Sequence, residues 1–179
     1  MTIGNDAISR GSFDSYNNFG LALTGVASPV GGTISNWEVF ARAGTIALLV
    51  LRPTAVATDF TLVGFDARTA VNGFQSFASS LSIQQNDILG LFLGTGDVSY
   101  GLDSGPNVCG TPNCNVFFTS NGGIPALAGL VGTDIAFSAG ATDRTYSVNA
   151  TIVPLPASAL LLVSAFGGLL LTRRFKQSA

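Results

Sequence analysis

The sequence predicts an all-β fold, an antiparallel β-sandwich, followed by one apolar C-terminal helix. Three observations predict it. Twenty-two glycines are spread along 179 residues, and with many Thr, Ser, Asn and Val residues they mark short strands joined by tight turns. Residues 45–51 (TIALLVL) and 88–93 (ILGLFL) are continuous apolar runs of strand length. In residues 145–152 apolar and polar positions alternate with the two-residue period of a half-buried strand.

The elements follow in order. Residues 1–18 are polar and read as irregular, or as a frayed first strand. Residues 19–26 are apolar, with Leu21 and Leu23 alternating. Ser28-Pro29-Val30-Gly31-Gly32 makes a turn. In residues 33–41 the alternation points Trp37 and Val39 inward, so the only tryptophan reads as core. A sugar-stacking aromatic is the alternative. The central strand 45–51 is ended by Pro53. Residues 59–65 place Phe60, Leu62 and Gly64 on one face. Asn72-Gly73 is a hairpin signal leading into 74–83. A polar turn at 84–87 precedes the buried strand 88–93. Residues 94–115 form a Gly/Asp/Asn-rich excursion. Strands are expected at 116–118, 134–138 and 145–152, with a turn at 121–123 and a Gly-broken apolar stretch at 125–132. The total is eight or nine strands.

Composition excludes several function classes. Charged residues make up 10% of the chain, against about 25% in an average domain. Residues 1–152 hold five arginines and no lysine against nine aspartates and one glutamate, a net of −5; three cations in the tail restore −2. An acidic, lysine-free surface argues against nucleic acid, whose phosphates are met by clustered Lys and Arg. The chain has no histidine, which removes Ser-His-Asp and Cys-His catalysis and His-ligated zinc. No phosphate loop, nucleophile elbow or H-E-x-x-H occurs. Asp97 and Asp103 are a carboxylate pair of the kind glycoside hydrolysis uses, but nothing selects them. The expectation is that the protein is not an enzyme, with no catalytic residues, no metal and no cofactor.

Within 94–115, Cys109 and Cys114 stand four residues apart as CGTPNC. Outside the cytoplasm the pair is expected to form a local disulfide, contributing about 2 kcal/mol by the loop-entropy rule. A zinc half-site and a redox pair are weaker readings: zinc takes about four ligands, and the spacing is not C-x-x-C. Asp97, Asp103 and Asn107 offer oxygens for calcium or another ligand, without an EF-hand pattern. Tyr100 lies among them.

Residues 153–179 read VPLPASALLLVSAFGGLLLTRRFKQSA. A Pro-containing leader (Val153, Pro154, Leu155, Pro156, Ala157) precedes an uncharged run and a basic end (Arg173, Arg174, Lys176). The 16 uncharged residues at 157–172 span about 24 Å as a helix, and snorkelling arginines extend that toward a hydrocarbon core of about 30 Å. Positive charge stays cytoplasmic, so the C-terminus is expected inside and residues 1–152 outside. An ordinary single-pass anchor and a buried helix are the alternatives.

This tail resembles the PEP-CTERM class of bacterial sorting signals in its VPLPA-CTERM form. The complete leader, the Gly167-Gly168 pair and the arginine pair carry the resemblance. It implies that an exosortase-type membrane protease recognises 153–157, removes the tail and releases or attaches the rest at the cell surface. The implied protein is anchored only transiently in the inner membrane. Exported chains begin with a basic region and an apolar run of about 7–15 residues. Met1 to Gly20 has neither, so a misassigned start or an incomplete gene model is expected.

The middle of the chain is similar to jelly-roll or lectin-like β-sandwich modules of secreted bacterial proteins. The similarity rests on Arg52-Pro53, on Phe60 to Gly64 (FTLVG), on Asn72 to Phe77 (NGFQSF) and on Ile83 to Leu91 (IQQNDILGL). Asn86-Asp87 stands where such modules commonly carry Gly-Asp. The resemblance implies the fold and a leaning toward carbohydrate or matrix contact. The expectation is therefore an extracellular domain at 1–152 and a sorting signal at 153–179. Its role would be structural or adhesive in an exopolysaccharide matrix, with self-assembly as a further option. A carbohydrate- or calcium-binding module is the alternative.

Overall fold

The computed structural model describes residues 1–102, 116–119, 124, 126–141 and 144–155. Fourteen strands occur among them. The first seven are β1 (Thr2–Gly4), β2 (Ser12–Asp14), β3 (Phe19–Ala27), β4 (Gly32–Ala41), β5 (Gly44–Pro53), β6 (Asp59–Ala70) and β7 (Gly73–Ile83). The others are β8 (Ile88–Leu93), β9 (Val98–Leu102), β10 (Val116–Phe118), β11 (Asp134–Ala136), β12 (Ala139–Ala141), β13 (Arg144–Tyr146) and β14 (Val148–Pro154). One 3-10 turn covers Ala128–Leu130. Among the described residues no helix is long and apolar enough to cross a membrane; the expected apolar helix lies outside them.

The strands form two sheets with antiparallel pairing throughout. In the first sheet β4 is central, with β14 and then β1 on one edge and β7 on the other. The end of β4 meets β9, which also carries β2 and β13. The second sheet has the order β11-β6-β5-β8-β3-β10-β12. The chain crosses repeatedly between sheets: β3 lies in the second, β4 in the first, β5 and β6 in the second, β7 in the first, β8 in the second, β9 in the first.

The sheets pack face to face. Ile34, Trp37 and Val39 of β4 and Val148, Ala150 and Ile152 of β14 meet Ile46, Leu48 and Val50 of β5 and Leu89 and Leu91 of β8 in one cluster. Trp37 and Val39 are fully buried, as their alternation predicts. The other face of β5 and β8 is covered too. Ala47, Leu49, Leu51 and Phe92 pack with Ile124, Leu127, Ile135 and Phe137. Burial on both faces explains why 45–51 is apolar without alternation.

Several expectations are corrected. Residues 1–18 are not simply irregular: the strand option holds, as two short strands, β1 and β2. β1 forms because β14 offers an edge: Thr2 faces Thr151 and Gly4 faces Asn149. Residues 94–115 are not one excursion, since β9 lies inside them and pairs with β2, β13 and Ala41. The closing segment is two strands. Ser147 interrupts it, donating its N–H to Ser99 and accepting from Phe40. Asn72-Gly73 is a turn but not a hairpin. β6 pairs with β5 and β7 with β4, so the turn carries the chain between sheets. Gly73 has the positive φ (107°) that the dipeptide predicts, yet Asn72 accepts from the Ala43 N–H (3.0 Å) rather than closing a ladder. Gly64 does not share a face with Phe60 and Leu62. A bulge between Val50 and Leu51 in the β5–β6 register turns it toward Leu81 of the opposite sheet.

Arg52 and Asp87, at either end of the module-like stretch, meet in a two-point ion pair. Nε and Nη2 of Arg52 donate to the two oxygens of Asp87 at 2.8 and 3.1 Å. Asp87 is buried and also accepts from the Gln84 N–H at 2.8 Å. Asn86 beside it has φ 71°, a conformation that costs an ordinary L-residue about 1–2 kcal/mol. Asn86→Ala should therefore lower stability by about 1 kcal/mol, while Asn86→Gly should leave it nearly unchanged. Urea denaturation of the two variants checks this, and equal losses in both would contradict it.

Candidate functional site

The leader begins inside the sheet. β14 continues past Ile152, with Val153 opposite Thr33 and Pro154 opposite Gly32. Ile152 is buried, whereas Val153 and Leu155 are 54% and 64% exposed. Pro154 has no N–H to extend the ladder, so pairing stops there. Gly32 is required for this approach, because a Cβ there would overlap the Val153 carbonyl. The strand thus runs two residues beyond the expected domain boundary at 152. Pro156, Ala157, Arg173, Arg174 and Lys176 lie outside the described residues.

The expected ligand loop is only partly described. Asp103, Asn107, Cys109 and Cys114 lie outside the described residues. Asp97 is committed locally: its carbonyl accepts from the Arg42 N–H at 2.9 Å, and its carboxylate faces Ser15 Oγ at 3.4 Å and Arg42 Nη1 at 3.8 Å. Tyr100 is half-buried, with Arg144 stacked 4.6 Å above its ring.

Below Tyr100 lies a buried polar cluster that joins β2, β9 and β13. Arg144 Nη1 donates to both oxygens of Asp14, at 3.0 and 2.9 Å. The Tyr146 hydroxyl donates to the same carboxylate. Burial pushes the Tyr146 phenol far above its ordinary value. The Asp14 charge and hydrogen bond push the same way, and Arg144 pulls it down. No group of three or more His, Cys, Asp or Glu is placed to hold a metal ion among the described residues.

A second polar constellation sits between the sheets, with no sequence motif to mark it. Trp37 Nε1 donates to Asp66 Oδ2 at 2.9 Å. Arg68 Nη2 donates to the same oxygen at 3.0 Å and to the Ala78 carbonyl at 2.6 Å. Arg68 Nε lies 2.8 Å from Asp66 Oδ1 but off the line of a hydrogen bond. Asp66, Arg68 and Ala78 border a cleft of about 280 Å³, with Ser79, Ser80, Phe65 and Leu81 completing its lining. A run such as D-A-R on a strand is common, so only the tertiary structure brings Asp66 and Arg68 against Ser79.

The outer face of β4, β7 and β14 is largely polar among the described residues, with Phe74 exposed opposite Phe40 at one end. Glu38 is the single charged side chain in β1, β4, β7 and β14. Hydroxyls and amides tie the face together: Ser76 to Asn36 (3.0 Å), Asn149 to Glu38 (3.1 Å) and Thr2 to Thr151 (3.4 Å). Asn149 is thus engaged within the sheet.

Comparison with protein-family models, with curated proteins and with solved structures found no match.

The Asp14 cluster makes two outcomes measurable. Asp14→Ala leaves Arg144 and Tyr146 without their acceptor and should cost about 3 kcal/mol. Unfolded tyrosine ionises near pH 10, whereas folded Tyr146 keeps its proton there. Its contribution is therefore complete below about pH 10 and declines as pH rises further. Stability of the native chain should fall above that pH, and Tyr146→Phe should flatten the fall; an identical slope in the variant would refute the assignment.

Proposed function

We propose that this chain is an exported bacterial surface protein with a structural or adhesive role in a polysaccharide matrix, sorted through its VPLPA leader by an exosortase-type protease. On this reading residues 157–172 form a membrane helix before processing, the basic end stays cytoplasmic, and the domain faces outward. The crossing of successive strands between sheets supports a jelly-roll-like assignment of the sandwich. The domain acts by presenting a surface rather than by catalysis.

The observation that carries the reading is where β14 ends. The strand delivers Val153 and Leu155, both exposed, at the end of the sheet without a linker. A membrane-embedded protease at the membrane face reaches them there. A cut after Leu155 leaves every β14 pairing intact. The largely polar outer face of β4, β7 and β14, with one charge in those strands, suits neutral polysaccharide chains.

The alternative is a carbohydrate- or calcium-binding module. The cleft at Asp66 and Arg68 favours its carbohydrate form. The engagement of Asp97 with Arg42 weighs against Asp97 as a calcium ligand.

Intact mass of the protein from its native cells, with and without reductant, tests the sorting reading. The expected result is a chain lacking the residues beyond the leader, with a disulfide that reduction opens. A full-length chain in the membrane fraction with free thiols would overturn it. Truncation provides a second check. A chain ending at Leu155 should match the parent domain in stability, while one ending at Thr151 loses Ile152 from the core and should be less stable by about 3 kcal/mol.

A further inference from the structure

Among the described residues the sandwich is open on one side, where β6 and β7 lie across from each other. Among the described residues β7 pairs only with β4, and β6 pairs with β11 only over Asp59–Thr61. Each of these strands carries a bulge. Val63 is the extra residue between Gly64 and Leu62 in the β5–β6 register. Ser79 and Ser80 together face the single Ser35 between the Leu81 and Ala78 pairings. Bulges bend a strand and re-aim its side chains, and they recur at sheet edges and beside binding sites. Here they frame the cleft that holds Asp66, Arg68 and Ser79.

We propose that this cleft binds one neutral sugar ring, a hexopyranose unit at the end or along the chain of a polysaccharide. The choice of ligand rests on the matrix reading above. Its volume, about 280 Å³, lies at the small end of ligand pockets, which begin near about 300 Å³. The charges decide the ligand class. Asp66 and Arg68 neutralise each other, so the cleft offers no net attraction to an ion. They place an acceptor and a donor side by side. Adjacent sugar hydroxyls, each able to donate and accept, match that arrangement.

Unused hydrogen-bonding capacity remains on the lining. Arg68 Nη1 has no partner among the described residues. A carboxylate has about four lone-pair sites, and Oδ1 of Asp66 accepts no well-aligned hydrogen bond. Ser79 Oγ is buried and has no partner among the described residues. An unsatisfied hydroxyl destabilises the empty protein. Rotation about χ1, fast for a serine side chain, turns Oγ toward a bound ring. Phe65 and Leu81 supply the apolar walls on which the C–H face of a sugar rests.

Trp37 reports occupancy. It is the only tryptophan, and its indole N–H is bonded to Asp66. The full chain, purified in a detergent without a sugar headgroup, is titrated with D-glucose, D-galactose, D-mannose and N-acetyl-D-glucosamine. At least one should give a saturable change in Trp37 fluorescence, with a dissociation constant of about 1 mM or tighter, matched by calorimetry. Ser79→Ala should weaken binding about tenfold without lowering Tm, since it deletes an unpaired hydroxyl. Ser80→Leu should obstruct the cleft and abolish binding while the protein remains folded. No saturable response to any of the four sugars would overturn the proposal. So would unchanged affinity in both variants, or tighter binding of inorganic phosphate or glucuronate, which would mark an anion site at Arg68. The titration needs neither export nor processing, so its failure is separate from a failure of the sorting reading.

Discussion

The structure depends on burying both faces of β5 and β8. Every residue from Ile46 to Leu51 is inaccessible to solvent, and a strand with two apolar faces is stable only between two covering layers. The first sheet supplies one layer through Trp37, Ile34 and the inner residues of β14. The segment around Ile124, Leu127, Ile135 and Phe137 supplies the other. Packing between the central strands is tight: a Cβ at Gly90 would overlap Leu51 and the Leu21 carbonyl. Small edge strands then add to what this slab leaves open.

With so few charges, three of the arginines act as clamps between distant segments. Arg52 reaches Asp87, Arg144 reaches Asp14 across 130 positions of sequence, and Arg42 reaches Asp97. Arginine suits this use because its planar fork meets a carboxylate at two points and stays charged when partly buried. The chain between 1 and 152 contains no lysine, a residue that brings a point charge on a flexible stem instead. Pairing arginine with aspartate leaves the outer face of β4, β7 and β14 mostly to hydroxyls and amides, with Phe74 exposed at one end. In β1, β4, β7 and β14 the single charged side chain is Glu38, itself bonded to Asn149.

The leader and the cleft belong to opposite edges of one strand. β14 and β7 flank β4, and neighbouring strands lie about 4.8 Å apart. Rigid pairing to β4 therefore governs both: it presents Val153 and Leu155 at the end of the sheet, and it sets Ser79 against Asp66. Gly32 at the start of β4 admits the leader, and Ser35 further along allows the bulge in β7.

The all-β class, the central strands 45–51 and 88–93, the inward Trp37 and the positive-φ turn at Gly73 were legible in the sequence. These follow from local chemistry: apolar period, run length and the conformational freedom of glycine. The sequence also carried the three-part tail motif, a pattern contiguous in the chain. Pairing partners were not legible. Asn72-Gly73 reads as a hairpin because the dipeptide specifies a turn and not the sheet each flanking strand joins. β1, β2 and β12 are three residues long, too short for any period, and exist because a neighbouring edge offers hydrogen bonds. Bulges leave no mark in a single strand, since they are a mismatch between two, and one of them turned Gly64 to the other face. The clamps and the cleft join residues far apart in sequence, so it is the packing of the sheets that brings Arg144 to Asp14 and sets Asp66, Arg68 and Ser79 in one site.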